Sequence, residues 1–340
     1  MNPLSNIPQR LRRELFIARK IASGLLTYTP FLHRNLLLLR EMLAGRPRRQ
    51  VGLSTVPYCY TVWMRHLIQR CAYASLPFPQ TVLEVGPGNS LGVGLAALIS
   101  GADRYYAMDA VAHMDLSRNF YIFEELLQLF MKKASIPDHD DFPDLGPSLP
   151  SHAFPDHLFP HIQAGKALAK DRLDKIRLNL ARMINNHCND MLFYITPDRH
   201  GLPQPMRTSV DWILSQFVIE HIDNLQEIYE QFENMLRPGG MMTHHIDFRA
   251  HWTAYEWNGY WTYDDRTWRW IRGNRPYFVN RAPLSEHICC LKKAGFEILG
   301  ISTTEGESTL TREKLAMRFR HLTAEDLQTM TAMITVRKPR

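Results

Sequence analysis

Short apolar runs alternate with longer amphipathic stretches through most of the chain after residue 80. A run that ends at a turn signal predicts a buried strand, and apolar positions three to four residues apart predict a helix. The first predicted strand begins at Thr81 and the second ends at Asp109; the others cover Met191–Pro197, Val210–Ser215, Met241–Asp247, Phe296–Thr303 and Met330–Val336. The predicted helices cover 92–100, about 117–134, about 161–186, Leu225–Leu236 and Leu284–Ala294. Strands that alternate with helices predict a mostly parallel sheet that binds ligands at the carboxyl ends of its strands.

Three segments lie outside this alternation. Residues 1–78 predict a helical, basic N-terminal extension, with two helices that part near Thr29-Pro30, a break at 46–49 and a helix over 57–74. An insertion at about 111–190 contains the Pro-, Asp- and His-rich stretch Ile136–Pro160, which is either a lid over the site or a mobile surface loop. An aromatic cap is predicted at about 248–282. The main domain is predicted to cover 79–340.

Candidate chemistry begins at the first turn, in the stretch TVLEVGPGNSLG. Gly86 and Gly88 allow a tight turn and a close approach of a ligand to the backbone. Asp109 follows about 20 residues later, where an acid can accept hydrogen bonds from ribose hydroxyls. Strand, turn, helix and acid together predict a nucleotide-sized pocket.

The details of the turn distinguish two ligands. A dinucleotide fingerprint reads G-x-G-x-x-G, whereas this chain has Glu84 before the glycines and a third glycine only at Gly92. A carboxylate at Glu84 repels a pyrophosphate and attracts an amino group. The turn resembles motif I of class I S-adenosylmethionine (SAM) methyltransferases, and the resemblance implies that Glu84 lies near the methionine end of the cofactor and Asp109 at the ribose.

The segment from Asp198 to Gly240 extends this resemblance. It is similar to the middle segment of SAM-dependent methyltransferases of the type 11 and type 23 kind, and this segment ends in a Pro-Gly-Gly turn. The resemblance implies that Asp198 contacts the adenine amino group and that the end of the fourth strand lies beside the point of methyl transfer. The implied cofactor site comprises Glu84, Gly86, Pro87, Gly88, Asn89, Asp109, Asp198, Ser215 and Gln216, with S-adenosyl-L-methionine as the cofactor.

The stretch Thr243–Trp252, THHIDFRAHW, resembles a signature of bacterial methyltransferases linked to surface polysaccharides and other glycans. Ala250 stands where that group usually has Asp, which removes one carboxylate and disfavours a metal site. On a strand His245 and Asp247 share a face and His244 points the other way. A histidine can take a hydroxyl proton, and an aspartate can orient its ring. The candidate catalytic residues are therefore His244, Asp247, His251, His245 and His221. The alternative is that one or more of His244, His245 and His251 satisfy buried backbone groups, and at least one of these three is expected to be catalytic.

The predicted cap combines aromatic residues with arginines. Aromatic faces stack on sugars and arginines bind phosphate or carboxylate, so the cap is either an acceptor wall or an aromatic core of its own. The resemblance adds the Asn280-Arg281 pair. The candidate substrate-binding residues are Arg281, Asn280 and Trp252.

Charge is unevenly distributed along the 340 residues, whose net charge is +6. Residues 1–50 contain ten Lys and Arg against Glu14 and Glu41, so the remainder is about neutral. A basic arm predicts either a solvated helical extension or peripheral contact with an anionic membrane or a protein, and the neutral body argues against a nucleic-acid partner. Five cysteines without zinc-site spacing predict reduced thiols and a cytoplasmic protein.

Together these features predict a Rossmann-like, seven-stranded α/β sandwich. The predicted activity is SAM-dependent O-methylation of a hydroxyl on a sugar, a glycan precursor or a related small metabolite. The alternatives are a non-catalytic methyltransferase-like binding subunit and a nicotinamide-dependent oxidoreductase.

Overall fold

The computed structural model describes residues 8–29, 55–73, 77–111, 115, 117–146, 148–184, 188–196 and 207–340. Their centre is one seven-stranded sheet, mostly parallel, as the alternation predicts. The strands are β1 Thr81–Val85, β2 Arg104–Met108, β3 Leu192–Ile195, β4 Val210–Gln216, β5 Leu236–Asp247, β6 Glu297–Glu305 and β7 Thr329–Arg337. Their order is β3-β2-β1-β4-β5-β7-β6, with β7 antiparallel to both of its neighbours.

Helices cover both faces of the sheet. They are α1 Gln9–Leu25, α2 Val56–Tyr73, α3 Gly92–Ser100, α4 Arg118–Met131, α5 Pro160–Gln163, α6 Lys170–Ile184, α7 Leu225–Met235, α8 Asp265–Arg272, α9 Leu284–Lys293 and α10 Ala324–Gln328. Helices α2, α3, α4 and α6 bury their apolar sides in one core, and α7 and α9 contribute to the core on the opposite face. The result is the predicted three-layer sandwich.

Helix α3 packs unusually closely on its neighbours because of two glycines. A Cβ at Gly94 would lie 2.0 Å from the Tyr105 ring, and one at Gly92 would lie 2.3 Å from the Cys59 sulfur. Only glycine fits at such distances. This packing brings α2 over the start of α3, so that residues of α2 reach the carboxyl end of β1.

The segment 248–282 forms a third core with α1 and the chain around 310–322. Tyr260, Trp261 and Trp268 are buried there, and Ile17 and Ile21 of α1 pack against the same cluster. Helix α1 approaches α8 through Gly24, where a Cβ would lie 1.9 Å from the Trp270 carbonyl oxygen. Much of the aromatic density predicted for the cap therefore serves packing.

Two sequence predictions differ from the structure. The single helix predicted over about 161–186 is wrong, because Gly165 adopts a positive φ of 70° and separates α5 from α6. The turn predicted at Arg237–Gly240 lies inside β5 as an irregularity in its pairing with β4. Ile136–Pro160 packs on the sheet core, where Ile136 and Phe159 are buried. Of the helices described, none is long and apolar enough to cross a membrane.

Candidate active site

A groove lies at the carboxyl ends of β1, β2 and β4. It consists of two adjoining cavities of about 410 and 940 Å³ that share Gly86, Gly88, Phe217 and Val218 as lining residues. The first cavity adds residues of α2 and the turn after β1: Tyr58, Cys59, Val62, Glu84, Pro87, Asn89, Ser90, Val93 and Gln216. The second cavity reaches from Asp109 to His221 and the cap residues Arg272 and Tyr277. Ligand groups are expected at this edge of a parallel sheet.

The glycine turn forms the floor that the two cavities share. Gly86 and Gly88 have φ of 69° and 70°, in the region that side chains disfavour. A Cβ at Gly86 would lie 2.5 Å from Val218, whereas one at Gly88 would meet no atom within 4 Å. The backbone at Gly88 is therefore open to the groove, as a closely approaching ligand requires.

Glu84 is a buried acid at the inner end of the first cavity, only 4% exposed. Its Oε2 accepts a hydrogen bond of 2.5 Å from the Tyr105 hydroxyl. Burial raises the pKa of the Glu84 carboxyl to about 8, an effect that Tyr105 opposes and the nearby charge of Asp109 reinforces. At neutral pH the group is mostly a neutral acid, and a bound cation would favour its ionised form.

The remaining predicted cofactor residues have different positions. Asp109 is half-buried and lines the second cavity, with its N–H bonded to the Ile195 carbonyl at 3.0 Å. Ser215 lies away from both cavities, fully buried, with its Oγ 2.7 Å from His244 Nδ1. Asp198 lies outside the described residues.

Gln216 connects the groove to a buried chain of hydrogen bonds. Its side chain lies 3.1 Å from His66 Nε2 and 2.9 Å from His245 Nδ1. Burial lowers the pKa of His66 to about 4 and that of His245 to about 3. Phe217 follows with a positive φ of 56° and packs on the His245 ring at 4.6 Å. These two histidines are neutral and orient the end of β4.

His244 and His245 point to opposite faces of β5, as strand alternation predicts. His244 is fully buried between β5 and α7, stacked on Phe232 at 5.6 Å, and burial lowers its pKa to about 3. It lines neither cavity of the groove. Because an acceptor cannot reach this side of the sheet, the geometry gives His244 a packing position, although its sequence match was among the closest.

Asp247, Arg249 and His251 form an ionic cluster just beyond β5. Arg249 binds the Asp247 carboxylate through Nε at 2.9 Å and Nη2 at 2.7 Å, and His251 Nε2 lies 3.2 Å from Asp247 Oδ2. Burial alone would raise the pKa of Asp247, but the adjacent His251 and Arg249 hold it well below its usual range. Asp247 therefore stays ionised and can stabilise a protonated His251.

His221 connects this cluster to the groove. Its ring lines the second cavity and meets the His251 ring edge-to-face, with centroids 5.3 Å apart. Burial, with the neighbouring His251, lowers the pKa of His221 to about 4, so it is neutral at physiological pH. Of the five candidate catalytic residues, His221, Asp247 and His251 form a continuous row.

Asn280 and Arg281 hold the site in place without lining either cavity of the groove. The Asn280 amide donates to the carbonyls of Ile219 and Ile222 at 3.0 and 2.7 Å, which fixes the turn that carries His221. Arg281 is 2% exposed and points into the cap, where it binds Asp265 and the Tyr263 carbonyl. The predicted substrate contact of Arg281 is therefore replaced by a contact within the cap.

Trp252 is a predicted substrate-binding residue whose side chain is exposed to solvent. It is 85% exposed and, with His251, lines a third cavity of about 510 Å³ beside the cap. The aromatic segment thus divides into a buried core and an exposed part; the core interpretation applies to the first, and the acceptor wall stays a prediction for the second.

Several site residues were missed by sequence reasoning. Tyr58 and Cys59 belong to α2, and Asp144 belongs to the segment 136–160, so each depends on tertiary packing. Arg249 carried a usable signal, because it stands two residues after Asp247. Glu220 is 3% exposed, and neither of its carboxyl oxygens has a hydrogen-bond partner among the described residues; burial raises its pKa well above the usual range. In the described part of the chain no group of three His, Cys, Asp or Glu could hold a metal ion.

Comparisons with known proteins give distant likenesses only. No protein-family model and no curated protein matches the sequence. Solved structures with a similar fold include a SAM-dependent methyltransferase from Mesorhizobium loti, 12% identical over 84% of this chain and 100% of that one, with a TM-score of 0.37. A SAM-dependent methyltransferase from Methanosarcina mazei is 12% identical over 79% and 96%, with a TM-score of 0.41.

Proposed function

We propose that this protein is a SAM-dependent methyltransferase that methylates a hydroxyl group of a sugar, a glycan precursor or a related small metabolite. The observation that carries the proposal is Glu84, a buried acid in a cavity beside a glycine turn, which no cationic side chain of the described residues pairs with. A carboxyl in that state favours a ligand with an ammonium group. SAM has an ammonium at one end and a ribose at the other.

The groove fits this cofactor in size and in polarity. Glu84 would receive the amino group in the first cavity, Asp109 would receive the ribose hydroxyls in the second, and the open backbone at Gly88 would lie between them. The apolar residues Val85, Met108 and Ile222 line the second cavity and suit an aromatic base. The adenine contact of Asp198 stays a prediction.

When bound, the cofactor supplies a sulfonium-activated methyl group. The protein then has to align the acceptor and remove one proton. His251 is the proposed base, because the ionised carboxylate of Asp247 lies 3.2 Å from its Nε2 and stabilises the protonated ring. His245 and His244 are weak bases in this environment, since burial lowers the pKa of each to about 3.

Strand order counts against the oxidoreductase alternative. Dinucleotide-binding sheets have the order 3-2-1-4-5-6, whereas here an antiparallel β7 lies between β5 and β6. The alternative of a non-catalytic subunit is tested by turnover, which such a subunit would lack.

Calorimetric titration with SAM, S-adenosylhomocysteine and NAD tests the cofactor assignment. We expect the two sulfur nucleosides to bind and NAD not to bind, with affinity lost in Asp109→Ala. Binding of NAD alone would refute the proposal. His251→Ala is expected to keep S-adenosylhomocysteine affinity and lose turnover on an acceptor found by screening, and full turnover in that variant would refute the assignment of the base.

A further inference from the structure

The third cavity lies between the cap and the segment 136–160, and its lining residues are distinct from those of the groove. Its volume is about 510 Å³, large enough for a monosaccharide-sized ligand. Its lining includes three aromatic residues, Trp252, Tyr255 and Trp257, and three acids, Asp144, Asp247 and Glu256. Aromatic faces and carboxylates in one cavity are the features that recognise organic cations.

Trp252 is presented to this cavity by a fixed loop. His251 and Trp252 have φ of 44° and 62°, a conformation that costs on the order of 1 kcal/mol or more for each side chain. The Ala250 N–H donates to the Trp257 carbonyl, and Asn258 binds the Leu327 carbonyl at 2.8 Å, so both ends of the loop are held. A constrained loop that exposes 85% of an indole provides a rigid stacking surface.

Trp257 and Tyr255 are the other two aromatic residues that line the third cavity. The Trp257 Nε1–H donates to the Glu307 carbonyl at 2.8 Å, which fixes its ring. Tyr255 is 43% exposed and packs edge-to-face on Phe16 of α1 at 6.1 Å. The wall is therefore built before any ligand arrives.

The charges of the cavity favour a cation over an anion. Arg249 is the one guanidinium among its described lining residues, and it already binds Asp247 and Asp144. Glu256 is bound by Arg13 of α1 at 2.9 Å, but Asp144 remains 64% exposed. A phosphate or carboxylate would have to displace one of these acids, whereas an ammonium adds a favourable contact with Asp144 and with the indole face.

The cavity also touches the proposed base. His251 lines it, and the His251 ring lies 5.3 Å from His221, which lines the groove. The adjacent rings of His251 and His221 thus form the boundary between the third cavity and the second cavity.

We propose that the third cavity binds the acceptor through a cationic amine, stacked on Trp252 and paired with Asp144. The acceptor is then a hydroxyl-bearing amine, such as an amino sugar, and not an anionic sugar. This inference rests on the proposed methyl transfer, which assigns the acceptor a place next to the cofactor groove.

Calorimetry on the full chain, saturated with S-adenosylhomocysteine, tests the inference with matched pairs of probes. The pairs are glucosamine with glucose and ethanolamine with ethylene glycol, and glucose 6-phosphate is the anionic probe. We expect the amine of at least one pair to bind about tenfold more tightly than its neutral partner, and the anion not to bind. Trp252→Ala should abolish the preference, Trp252→Phe should keep part of it, and Asp144→Asn should reduce it.

Trp270→Ala is the matched control, because it removes an indole of the same cap whose ring is stacked by Arg266 outside the cavity. Equal binding of both members of every pair, or a preference that survives Trp252→Ala, would overturn the inference. So would a panel in which no probe binds while S-adenosylhomocysteine does. Failure of S-adenosylhomocysteine itself to bind would instead count against the proposed function, and an amine preference measured without it would still support the cavity assignment.

Discussion

The raised pKa of Glu84 predicts that the proposed cofactor binds with an affinity that depends on pH. Its pKa of about 8 means that only a small fraction of the free protein has an ionised Glu84 below pH 7. A ligand ammonium requires the ionised form, so its apparent affinity is reduced by that fraction. Between pH 5.5 and 7.0 the ionised fraction rises roughly 30-fold, and the affinity for S-adenosylhomocysteine should rise by the same factor, equivalent to about 2 kcal/mol.

The three histidines closest to the groove do not obscure this slope. The pKa values of His66, His221 and His245 are lowered to about 4, 4 and 3, so these rings stay neutral over that range. Below pH 7 the ligand amine is also charged, since ordinary α-amino groups titrate near pH 8. Binding at pH 6.5 should therefore release close to one proton from Glu84.

Isothermal titration calorimetry in two buffers of different ionisation enthalpy measures both quantities. Glu84→Gln should bind S-adenosylhomocysteine weakly, with no slope and no proton release. 5′-Methylthioadenosine, which lacks the amine, is the control ligand and should bind wild type with no such slope. Tyr105→Phe removes the hydrogen bond that favours the ionised carboxyl, and should move the rise in affinity to higher pH. A flat profile in wild type, or an unchanged slope in Glu84→Gln, would refute the reasoning.

Three further predictions concern the glycine turn, the buried Glu220 and the contact of α1 with the cap. Gly86→Ala places a Cβ within 2.5 Å of Val218 at a residue with positive φ. Calorimetry should show S-adenosylhomocysteine binding weakened at least tenfold. Retained affinity would contradict a role for this turn in binding. Burial raises the pKa of Glu220 in the folded protein, so the stability that the protonated carboxyl contributes is present below the unfolded pKa near 4.5 and is lost as pH rises. The Tm of Glu220→Gln should therefore increase relative to that of wild type between pH 5 and pH 9. A Tm difference that stays constant over this range would disprove the prediction. The side chain of Gly24→Val cannot fit against the Trp270 carbonyl, so α1 should separate from α8. We expect a lower Tm, faster proteolysis of α1 and an unchanged affinity for S-adenosylhomocysteine. The control Ala22→Val, on the exposed side of α1, should leave all three quantities unchanged.

The elements that the sequence predicted well are those with a strong local pattern. The strand from Thr81 and the helix 92–100 begin and end in the structure as predicted at those residues, and strand alternation placed His244 and His245 on opposite faces. A periodic pattern depends only on residues that are close in sequence, so tertiary contacts do not change the element that it predicts. The helix over 161–186 was wrong because a single residue, Gly165, interrupts an otherwise continuous amphipathic pattern.

The site residues were predicted only in part, because many of them depend on tertiary contacts. Sequence spacing led to Glu84, Gly86, Gly88 and Asp109, because one strand–turn–helix unit brings them together along the chain. It did not reveal Tyr58 or Asp144, and it gave Arg281 an external role that its burial in the cap replaces. These positions depend on contacts between segments that are far apart in sequence.

By itself, the sequence determined the alternation of strands and helices, the glycine turn and the acid at its inner end, since each is encoded within about 30 consecutive residues. The tertiary structure alone decided that Tyr105 meets Glu84, that His244 faces a helix core, and that His221, His251 and Asp247 form one row. It also decided that Trp252 is exposed while Trp261 is buried. The physical reason is that burial and long-range packing, rather than residue type, set the exposure, the partner and the pKa of each of these side chains.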